Sequence, residues 1–292
     1  MDEGIAIVRA RRLCRKLTLE QVRLPLRDYL NAITDLPGSI ILRLDDTLDD
    51  DASGHTVKVA GKHCIVLNAN HSEERQRFTA CHEIGHIVLE VATEHDQTSD
   101  VFVRRSQNEV FCDVFAAEMV LPKTLLAPLV EDADIAFESI ERLGGEFGAS
   151  LAATGSRFAE LCDRPCAFVL INNGTIRYAS RSRSMKDCGA WLDPGSKVPE
   201  SSLASQMQRA TRKTGPIEVE AVDWLKDWKR GGRLMQEVRH APKWNQTLAL
   251  LWFGDDRAPD PEEKYADDKE YEELALQPLD GVLQWPTKRR RR

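Results

Sequence analysis

The pentapeptide His82-Glu83-Ile84-Gly85-His86 places two histidines four residues apart inside a segment that predicts a helix. At this spacing the two side chains lie about 5–6 Å apart at Cβ, on one face of the helix. Both imidazoles can therefore reach one tetrahedral zinc ion at roughly 2.0–2.1 Å. Glu83 lies about 100° around the helix from His82, where a carboxylate can take a proton from a metal-activated water. The alternative is a buried helix with two hydrogen-bonded histidines, in which the glutamate would be costly to bury.

The residues around this pentapeptide favour a helix with one buried side. Ser72 is a candidate N-cap, and Glu73 and Glu74 follow in the first turn, where the helix dipole favours negative charge. We expect the helix to end near Glu94. Apolar residues on the face opposite His82 predict a stripe for core packing, namely Ala80, Ile84, Ile87, Val88 and Val91.

A second predicted helix, from Ser106 to Pro122, offers the best candidate for a third metal ligand. Glu109 and Asp113 are four residues apart and share a face. Glu109 can bind zinc while Asp113 accepts the free ring N–H of a ligand histidine. However, Ser106 and Glu109 also have the spacing of a capping box, in which the carboxylate binds backbone N–H groups instead. Rival third ligands are Asp96, Asp100 and Glu118.

Three short strands are predicted before the histidine helix. Ser39–Leu44 is the first, and His55–Val59 and Cys64–Asn68 form a hairpin around Gly61-Lys62. The last strand leads directly into the helix. We expect it to be either a sheet edge that pairs with an extended substrate through main-chain hydrogen bonds or an edge covered by other structure.

Two more helices are predicted after Pro122. Ile135–Leu161 contains a helix, a turn at Gly148-Ala149 and a second helix capped by Ser150. Arg157 is the only basic residue on the second helix, whereas a helix that reads DNA carries more donors and more positive charge. We therefore interpret this helix pair as structural or protein-binding, and direct DNA binding stays open.

The C-terminal part predicts further α+β structure. Asn172-Asn173-Gly174 is a hairpin turn between the strands Ala167–Ile171 and Thr175–Ala179. Residues from Gly254 onward are rich in charge and predict a disordered tail. Between hairpin and tail we expect a helix around Leu203–Thr211 and strands near Ile217–Val222, Leu234–Val238 and Thr247–Phe253.

Composition limits the class of protein. A chain of 292 residues with 42% hydrophobic and 30% charged residues describes a globular protein with two or three small domains. No apolar run approaches the ~20 residues of a membrane helix, so we expect a cytoplasmic protein without membrane contact. Its seven scattered cysteines predict reduced thiols. The net charge of −7 argues against sequence-independent nucleic-acid binding by the whole molecule.

The two helical motifs together resemble the ImmA/IrrE metallopeptidase family, and most closely its radiation-response branch, IrrE (PprI). The runs E-R-Q-R-F-T-A-C-H-E-I-G-H and E-V-F-C-D-V-F-A-A-E-M-V-L-P match the family in order and spacing. The resemblance implies that His82, His86 and Glu109 are zinc ligands and that Glu83 is the catalytic base. Asp113 departs from the family's usual asparagine, although either side chain can accept a hydrogen bond.

The resemblance also implies a fold and a division of the chain. The fold would be α+β, with a small gluzincin-like zincin domain at residues 1–125. A helix-turn-helix-like helical domain would follow at 126–163, and a GAF-like α+β sensor domain at 164–254. Residues 255–292 would form the charged tail.

The function implied by the resemblance is that of a zinc-dependent endopeptidase. Its substrate would be a helix-turn-helix (Cro/repressor-type) transcriptional repressor, and cleavage would induce a stress, DNA-damage or mobile-element response. Mn²⁺ or another divalent ion would be the substitute for Zn²⁺. Candidate donors to the transition state are His63, His71 and His95.

Two alternatives remain open at the level of the sequence. One is a non-catalytic regulator that binds DNA or protein and holds a structural zinc, which would need a fourth protein ligand. Cys64, Cys81 and Cys112 are candidates for that ligand. The other is the toxin component of a two-gene module, which would have the same active site and a different target.

Overall fold

The computed structural model describes residues 2–38, 40–49, 51–92, 106–200, 202, 204–205, 214–241 and 246–254. It has a mixed α+β architecture, as the sequence predicts. The helices are Glu3–Cys14 (α1), Leu19–Val22 (α2), Leu26–Ala32 (α3), Glu73–Leu89 (α4), Gln107–Val120 (α5), Lys123–Glu131 (α6), Phe137–Phe147 (α7), Leu151–Leu161 (α8), Arg183–Asp187 (α9) and Ala221–Trp224 (α10). The strands are Ile40–Asp45 (β1), Gly54–Val59 (β2), Lys62–Asn68 (β3), Cys166–Asn172 (β4), Thr175–Arg181 (β5), Thr214–Glu220 (β6), Arg233–Ala241 (β7) and Gln246–Trp252 (β8).

Serine caps begin both helices that carry the predicted ligands, which confirms their predicted starts. The hydroxyl of Ser72 accepts a hydrogen bond from the Arg75 N–H, and that of Ser106 accepts one from the Glu109 N–H, each at 3.4 Å. These bonds satisfy N–H groups that have no partner within the helix. Helix α5 ends just before Pro122, also as predicted.

Helix α4 ends at Leu89, earlier than the position near Glu94 that its sequence predicts. Glu90 takes a left-handed conformation with φ of 57° and stops the helix. The N–H groups of Glu90 and Val91 both donate to the carbonyl of His86. This is the hydrogen-bonding pattern of a helix C-cap, although glycine is the usual residue in that conformation.

The first sheet contains three strands in the order β1-β3-β2. Strand β1 runs parallel to β3, and β2 runs antiparallel to it. The predicted hairpin between β2 and β3 is confirmed, with Ala60 and Gly61 at φ of 47° and 80° in its turn. Of the two alternatives for β3, the open edge is wrong, because β1 covers the side of β3 opposite β2. In the part of the chain that the structure describes, β2 is an edge instead.

One hydrophobic core joins the helices to both sheets. Ile65 and Leu67 on the inner face of β3 are fully buried and pack into the same cluster as Phe115 of α5. Phe168 and Leu250, from one face of the second sheet, complete this cluster. The helices that carry the predicted ligands therefore share one core with both sheets.

The second sheet has five strands in the order β5-β4-β8-β7-β6, each antiparallel to its neighbours. The predicted hairpin turn is confirmed, with Asn173 and Gly174 at φ of 50° and 70°. The face that points away from the main core has its own cluster, in which Val169 and Leu251 pack with Trp224 and Trp228.

The C-terminal part differs from its prediction in one strand, and two of its predicted segments lie largely or wholly outside the described residues. The strand predicted at Ile217–Val222 ends at Glu220, where α10 begins. Most of the helix predicted around Leu203–Thr211 lies outside the described residues, and so does the tail at 255–292. No described helix is both long and apolar enough to span a membrane.

Helices α7 and α8 are joined by a short turn in which Gly148 has φ of 60°. This confirms the predicted helix, turn and helix, with Ser150 as the second cap. Helix α8 packs closely on β4, since a Cβ on Gly155 would lie 2.2 Å from the ring of Phe168. The glycine is required here by the approach of strand to helix, and that face of α8 is buried.

Candidate metal centre

Helices α4 and α5 meet at a glycine. A Cβ on Gly85 would lie only 3.2 Å from the Cα of Cys112 and 3.3 Å from the ring of Phe115. Because Gly85 has no side chain, the two helices approach closely enough for the histidines of α4 to contact Glu109 of α5. Gly85 lies within the histidine pentapeptide, so the motif contains both the candidate ligands and the contact that positions them.

Three potential ligand atoms converge beside this contact. His82, His86 and Glu109 each offer an atom, and these atoms all lie within 4.8 Å of one another. The Nε2 atoms of the two histidines are 3.2 Å apart. The Glu109 carboxylate lies 3.0 Å from His82 Nε2 through one oxygen and 3.3 Å from His86 Nε2 through the other.

These separations fit the donor set of a tetrahedral metal ion. Ligand atoms at 2.0–2.1 Å from a tetrahedral zinc are about 3.3 Å from one another. The distance of 3.2 Å between the two Nε2 atoms, and the distances of 3.0 and 3.3 Å from them to the nearer oxygens of Glu109, lie within a few tenths of an ångström of that value. Two imidazoles and one carboxylate also match the protein ligands of many catalytic zinc sites. The group could therefore hold a metal ion.

The outer ring nitrogens are held by partners that orient both imidazoles. His82 Nδ1 lies 2.9 Å from Oδ1 of Asp113, and His86 Nδ1 lies 3.4 Å from the backbone carbonyl of Val91. A proton on each Nδ1 leaves the Nε2 lone pair directed at the centre of the group. The sequence predicts the contact of Asp113, but not that of Val91, which depends on the left-handed cap at Glu90.

The group also combines opposite charges, because the pKa values of His82 and Glu109 are shifted in favour of their charged forms. Burial opposes protonation of His82, but hydrogen bonds and charge from Asp113 and Glu109 outweigh it and raise the pKa of His82 to about 9. Burial acts in the opposite sense on Glu109, yet His82 and His86 hold the pKa of its carboxyl well below its usual range. Without metal, the group is thus an ion pair that contains a protonated His82. A metal ion would displace that proton, because a ligand histidine is neutral.

The rival third ligands are engaged elsewhere or lie outside the described residues. Glu118 is 2% exposed and forms ion pairs with Arg11 of α1 and Arg157 of α8. Asp96 and Asp100 belong to the undescribed segment 93–105. The capping bond of Ser106 uses the backbone N–H of Glu109, and the carboxylate of Glu109 meets the histidines.

Several other candidates do not join the group of three. Among the described residues, no cysteine belongs to it, so the structure does not bring a fourth protein ligand to the three. This excludes Cys64, Cys81 and Cys112 from the group. His63 and His71, two of the candidate donors to the transition state, do not belong to the group either, and the third, His95, lies outside the described residues.

Glu83 has a partner that the sequence does not predict. Its side chain is 4% exposed, and its Oε2 accepts a hydrogen bond of 2.7 Å from the hydroxyl of Thr56 in β2. The two residues are 27 positions apart, and no local pattern connects them. Only the packing of β2 against α4 brings them together.

Comparison with known proteins supports a peptidase-type domain. Residues 40–159 match the model of the peptidase M78 family, described as the IrrE N-terminal-like domain. The match contains the first sheet, α4 and α5, and extends into α8. It agrees with the resemblance drawn from the two helical motifs.

Among solved structures, a Mycobacterium tuberculosis transcriptional regulator has a similar fold. The similarity covers 85% of this chain and 76% of that chain, with a TM-score of 0.54 and 14% sequence identity. At this identity the likeness concerns the fold alone. No curated protein matches the chain.

Proposed function

Residues 40–159 belong to the IrrE N-terminal-like domain family, and from this premise we propose that the protein is a zinc-dependent endopeptidase. In this proposal His82, His86 and Glu109 bind the metal and Glu83 is the general base. The observation that carries the proposal is the convergence of three side chains, whose ligand atoms all lie within 4.8 Å of one another. In the described part of the chain this group has three members, which leaves one coordination position of a tetrahedral ion for water.

The proposed reaction is the hydrolysis of a peptide bond. Bound zinc would lower the pKa of a water molecule and polarise the substrate carbonyl. Glu83 accepts a proton from the attacking water, whose oxygen bonds to the carbonyl carbon. As the C–N bond breaks, Glu83 delivers that proton to the departing nitrogen, and the products are a carboxylate and an amine. Asp113 and the Val91 carbonyl keep the two imidazoles in the orientation that this centre needs.

The proposed substrate lies in an extended conformation along β2. Within the described residues this strand pairs only with β3, so its other edge is open to main-chain hydrogen bonds. Because Thr56 of β2 contacts Glu83, a peptide on that edge would pass close to the general base. This proposal transfers the substrate-binding role from β3 to β2.

We further propose that the substrate is a transcriptional repressor of the helix-turn-helix type. The basis is the family resemblance, together with the similar fold of a protein described as a transcriptional regulator. Cleavage would then relieve repression of a stress, DNA-damage or mobile-element response. The proposal predicts a partner that is a folded protein with an accessible extended segment.

The division of the chain also stays a proposal. The parts would be a zincin-like domain to residue 125, a helix-turn-helix-like segment to 163 and a GAF-like sensor domain to 254. Helix α8 packs on β4, and its Arg157 pairs with Glu118 and Glu160. These contacts favour a structural or protein-binding role for the helix pair over the reading of DNA.

A non-catalytic regulator with a structural zinc is the second candidate. Structural zinc sites have four protein ligands, whereas the described residues supply three here. This difference favours the catalytic proposal. A toxin would have the same metal centre and a different target. The identity of the cleaved protein therefore distinguishes a toxin from a peptidase that acts on a repressor.

The proposal is tested by mixing the purified, zinc-loaded protein with a purified helix-turn-helix repressor from the same genome. Intact-mass analysis should find two fragments whose masses sum to that of the repressor plus one water. A parallel reaction with a chelator should leave the repressor intact, and zinc added back should restore the fragments. An intact repressor in every reaction would favour the binding role.

A further inference from the structure

Strand β2 contributes a side chain to the proposed active centre. The Thr56 hydroxyl donates a hydrogen bond of 2.7 Å to Oε2 of Glu83, which is almost completely buried. A bond from a neutral donor to a carboxylate is among the stronger hydrogen bonds in proteins. Threonine is also branched at Cβ, so its hydroxyl has few alternative orientations.

A glycine lets this strand come close to α4. Gly54 lies two residues before Thr56, so both positions face the helix. A Cβ on Gly54 would lie 2.9 Å from a methyl group of Thr79 in α4 and 2.5 Å from the carbonyl oxygen of Val66. No side chain fits there without a shift of the strand. Gly54 therefore allows β2 to approach α4, and this approach brings the Thr56 hydroxyl within hydrogen-bonding distance of Glu83.

We propose that Thr56 is a positioning residue that fixes the orientation of the Glu83 carboxylate. The inference rests on the proposed peptidase function and goes beyond it by assigning a role to the edge strand. The hydroxyl holds Oε2, and Oε1 is the oxygen that would exchange a proton with water and the departing nitrogen. Thr56 belongs to the strand that would pair with the substrate, and the base is thus aligned by the element that binds the peptide.

The competing explanation is that Thr56 only fills space between β2 and α4. Two substitutions separate these roles, because each keeps one half of the side chain. Thr56→Val keeps the branched shape and removes the hydroxyl, whereas Thr56→Ser keeps the hydroxyl and removes the methyl group. A positioning role requires serine to be the better substitute, and a packing role requires valine to be.

The experiment measures kcat and KM for repressor cleavage by the zinc-loaded, full-length chain. Thr56→Val should lower kcat by about 10- to 100-fold, the range expected for loss of a hydrogen bond to a charged group. KM should stay within about twofold, because main-chain pairing is unchanged. Thr56→Ser should recover most of kcat, and all three proteins should bind one equivalent of zinc.

A matched control removes the same type of bond outside the centre. The Thr47 hydroxyl donates to Oδ1 of Asp45 at 2.6 Å, at the exposed end of β1. Thr47→Val should leave kcat and KM unchanged. A Thr56→Val enzyme with the kcat of the wild type, or one more active than Thr56→Ser, would overturn the positioning role.

A second readout does not depend on activity. Crystal structures of the zinc-loaded wild type and of Thr56→Val should differ at Glu83, with its carboxylate rotated or in more than one conformer in the variant. If the wild type cleaves no repressor, the peptidase proposal fails and this comparison alone decides the role of Thr56. One Glu83 conformer shared by both proteins would then overturn the inference, and a displaced carboxylate would support it.

Discussion

Glu109 Oε2 lies 3.0 Å from His82 Nε2, although the two residues belong to different helices and are 27 positions apart. This contact joins the two sequence motifs into one group of potential metal ligands. Each motif is local, but the group of potential ligands forms where α4 and α5 meet. Both the proposed ligands and the helix contact can therefore be tested by substitution.

Removal of the Glu109 carboxylate should weaken zinc binding strongly. Glu109→Ala deletes one of three proposed ligands, so we expect a loss of affinity larger than the 10- to 100-fold typical of partners that only orient a ligand. Competition with a chromophoric chelator measures it. Glu131→Gln changes an exposed carboxylate on α6 and serves as the control. Equal zinc affinity in Glu109→Ala and wild type would exclude Glu109 as a ligand.

Asp113 should affect zinc binding through His82. Asp113→Ala removes the acceptor that lies 2.9 Å from His82 Nδ1, and we expect a loss of zinc affinity of about 10- to 100-fold. Asp113→Asn keeps an oxygen that can accept the same hydrogen bond, so its loss should be smaller. An asparagine variant that binds zinc as weakly as the alanine variant would show that charge, rather than orientation, is the contribution of Asp113.

Zinc binding should release a proton at neutral pH. The pKa of His82 in the metal-free fold is raised to about 9, above its ordinary value of 6.5, so His82 is protonated at pH 7. The apparent zinc affinity should therefore rise with pH until about pH 9 and then level off. Calorimetry in buffers with different ionisation enthalpies counts the released protons. Binding without proton release at pH 7.5 would contradict this prediction.

The same raised pKa predicts how the stability of the metal-free protein depends on pH. A group with a raised pKa binds more protons in the folded state than in the unfolded state, so stability falls as pH rises. The contribution of His82 should be fully present below about pH 6.5 and lost as pH rises through about 9. Denaturant unfolding of the metal-free wild type and of His82→Ala should show this loss in the wild type alone.

The contact between α4 and α5 should not tolerate an added methyl group. Gly85→Ala places a Cβ at 3.2 Å from the Cα of Cys112, and overpacking of this kind costs about 1–3 kcal/mol. It should also weaken zinc binding by separating the helices. Gly145→Ala in α7 is the matched control, because a Cβ there has no neighbour within 4 Å. We expect that control to stabilise the protein slightly, since alanine favours helix.

Features of the centre that depend on spacing within one helix follow directly from the sequence. The four-residue intervals from His82 to His86 and from Glu109 to Asp113 place each pair on one helical face. Serine caps likewise mark the starts of both helices, because capping is a local interaction. Helix geometry therefore predicts that His82 and His86 share a face, whereas the choice of Glu109 over its rivals depends on the family resemblance.

Features that depend on tertiary contacts do not follow from local sequence. The bond from Thr56 to Glu83 requires β2 to pack on α4, and the contact of Val91 with His86 requires a left-handed Glu90. A glutamate in that conformation carries no sequence signal, since glycine is the residue expected there. The open-edge alternative for β3 fails for a related reason, because the parallel pairing with β1 joins two strands that are separated in sequence by β2.

The most direct test of the central claim compares wild type with Glu83→Gln, both loaded with zinc, in the cleavage of a helix-turn-helix repressor from the same genome. Glutamine keeps the size of the side chain and removes the group that accepts the proton, so zinc content should be unchanged. The account predicts that cleavage falls by at least about 100-fold, the lower end of what general acid–base catalysis contributes. Cleavage by Glu83→Gln at the rate of the wild type would contradict the proposed mechanism.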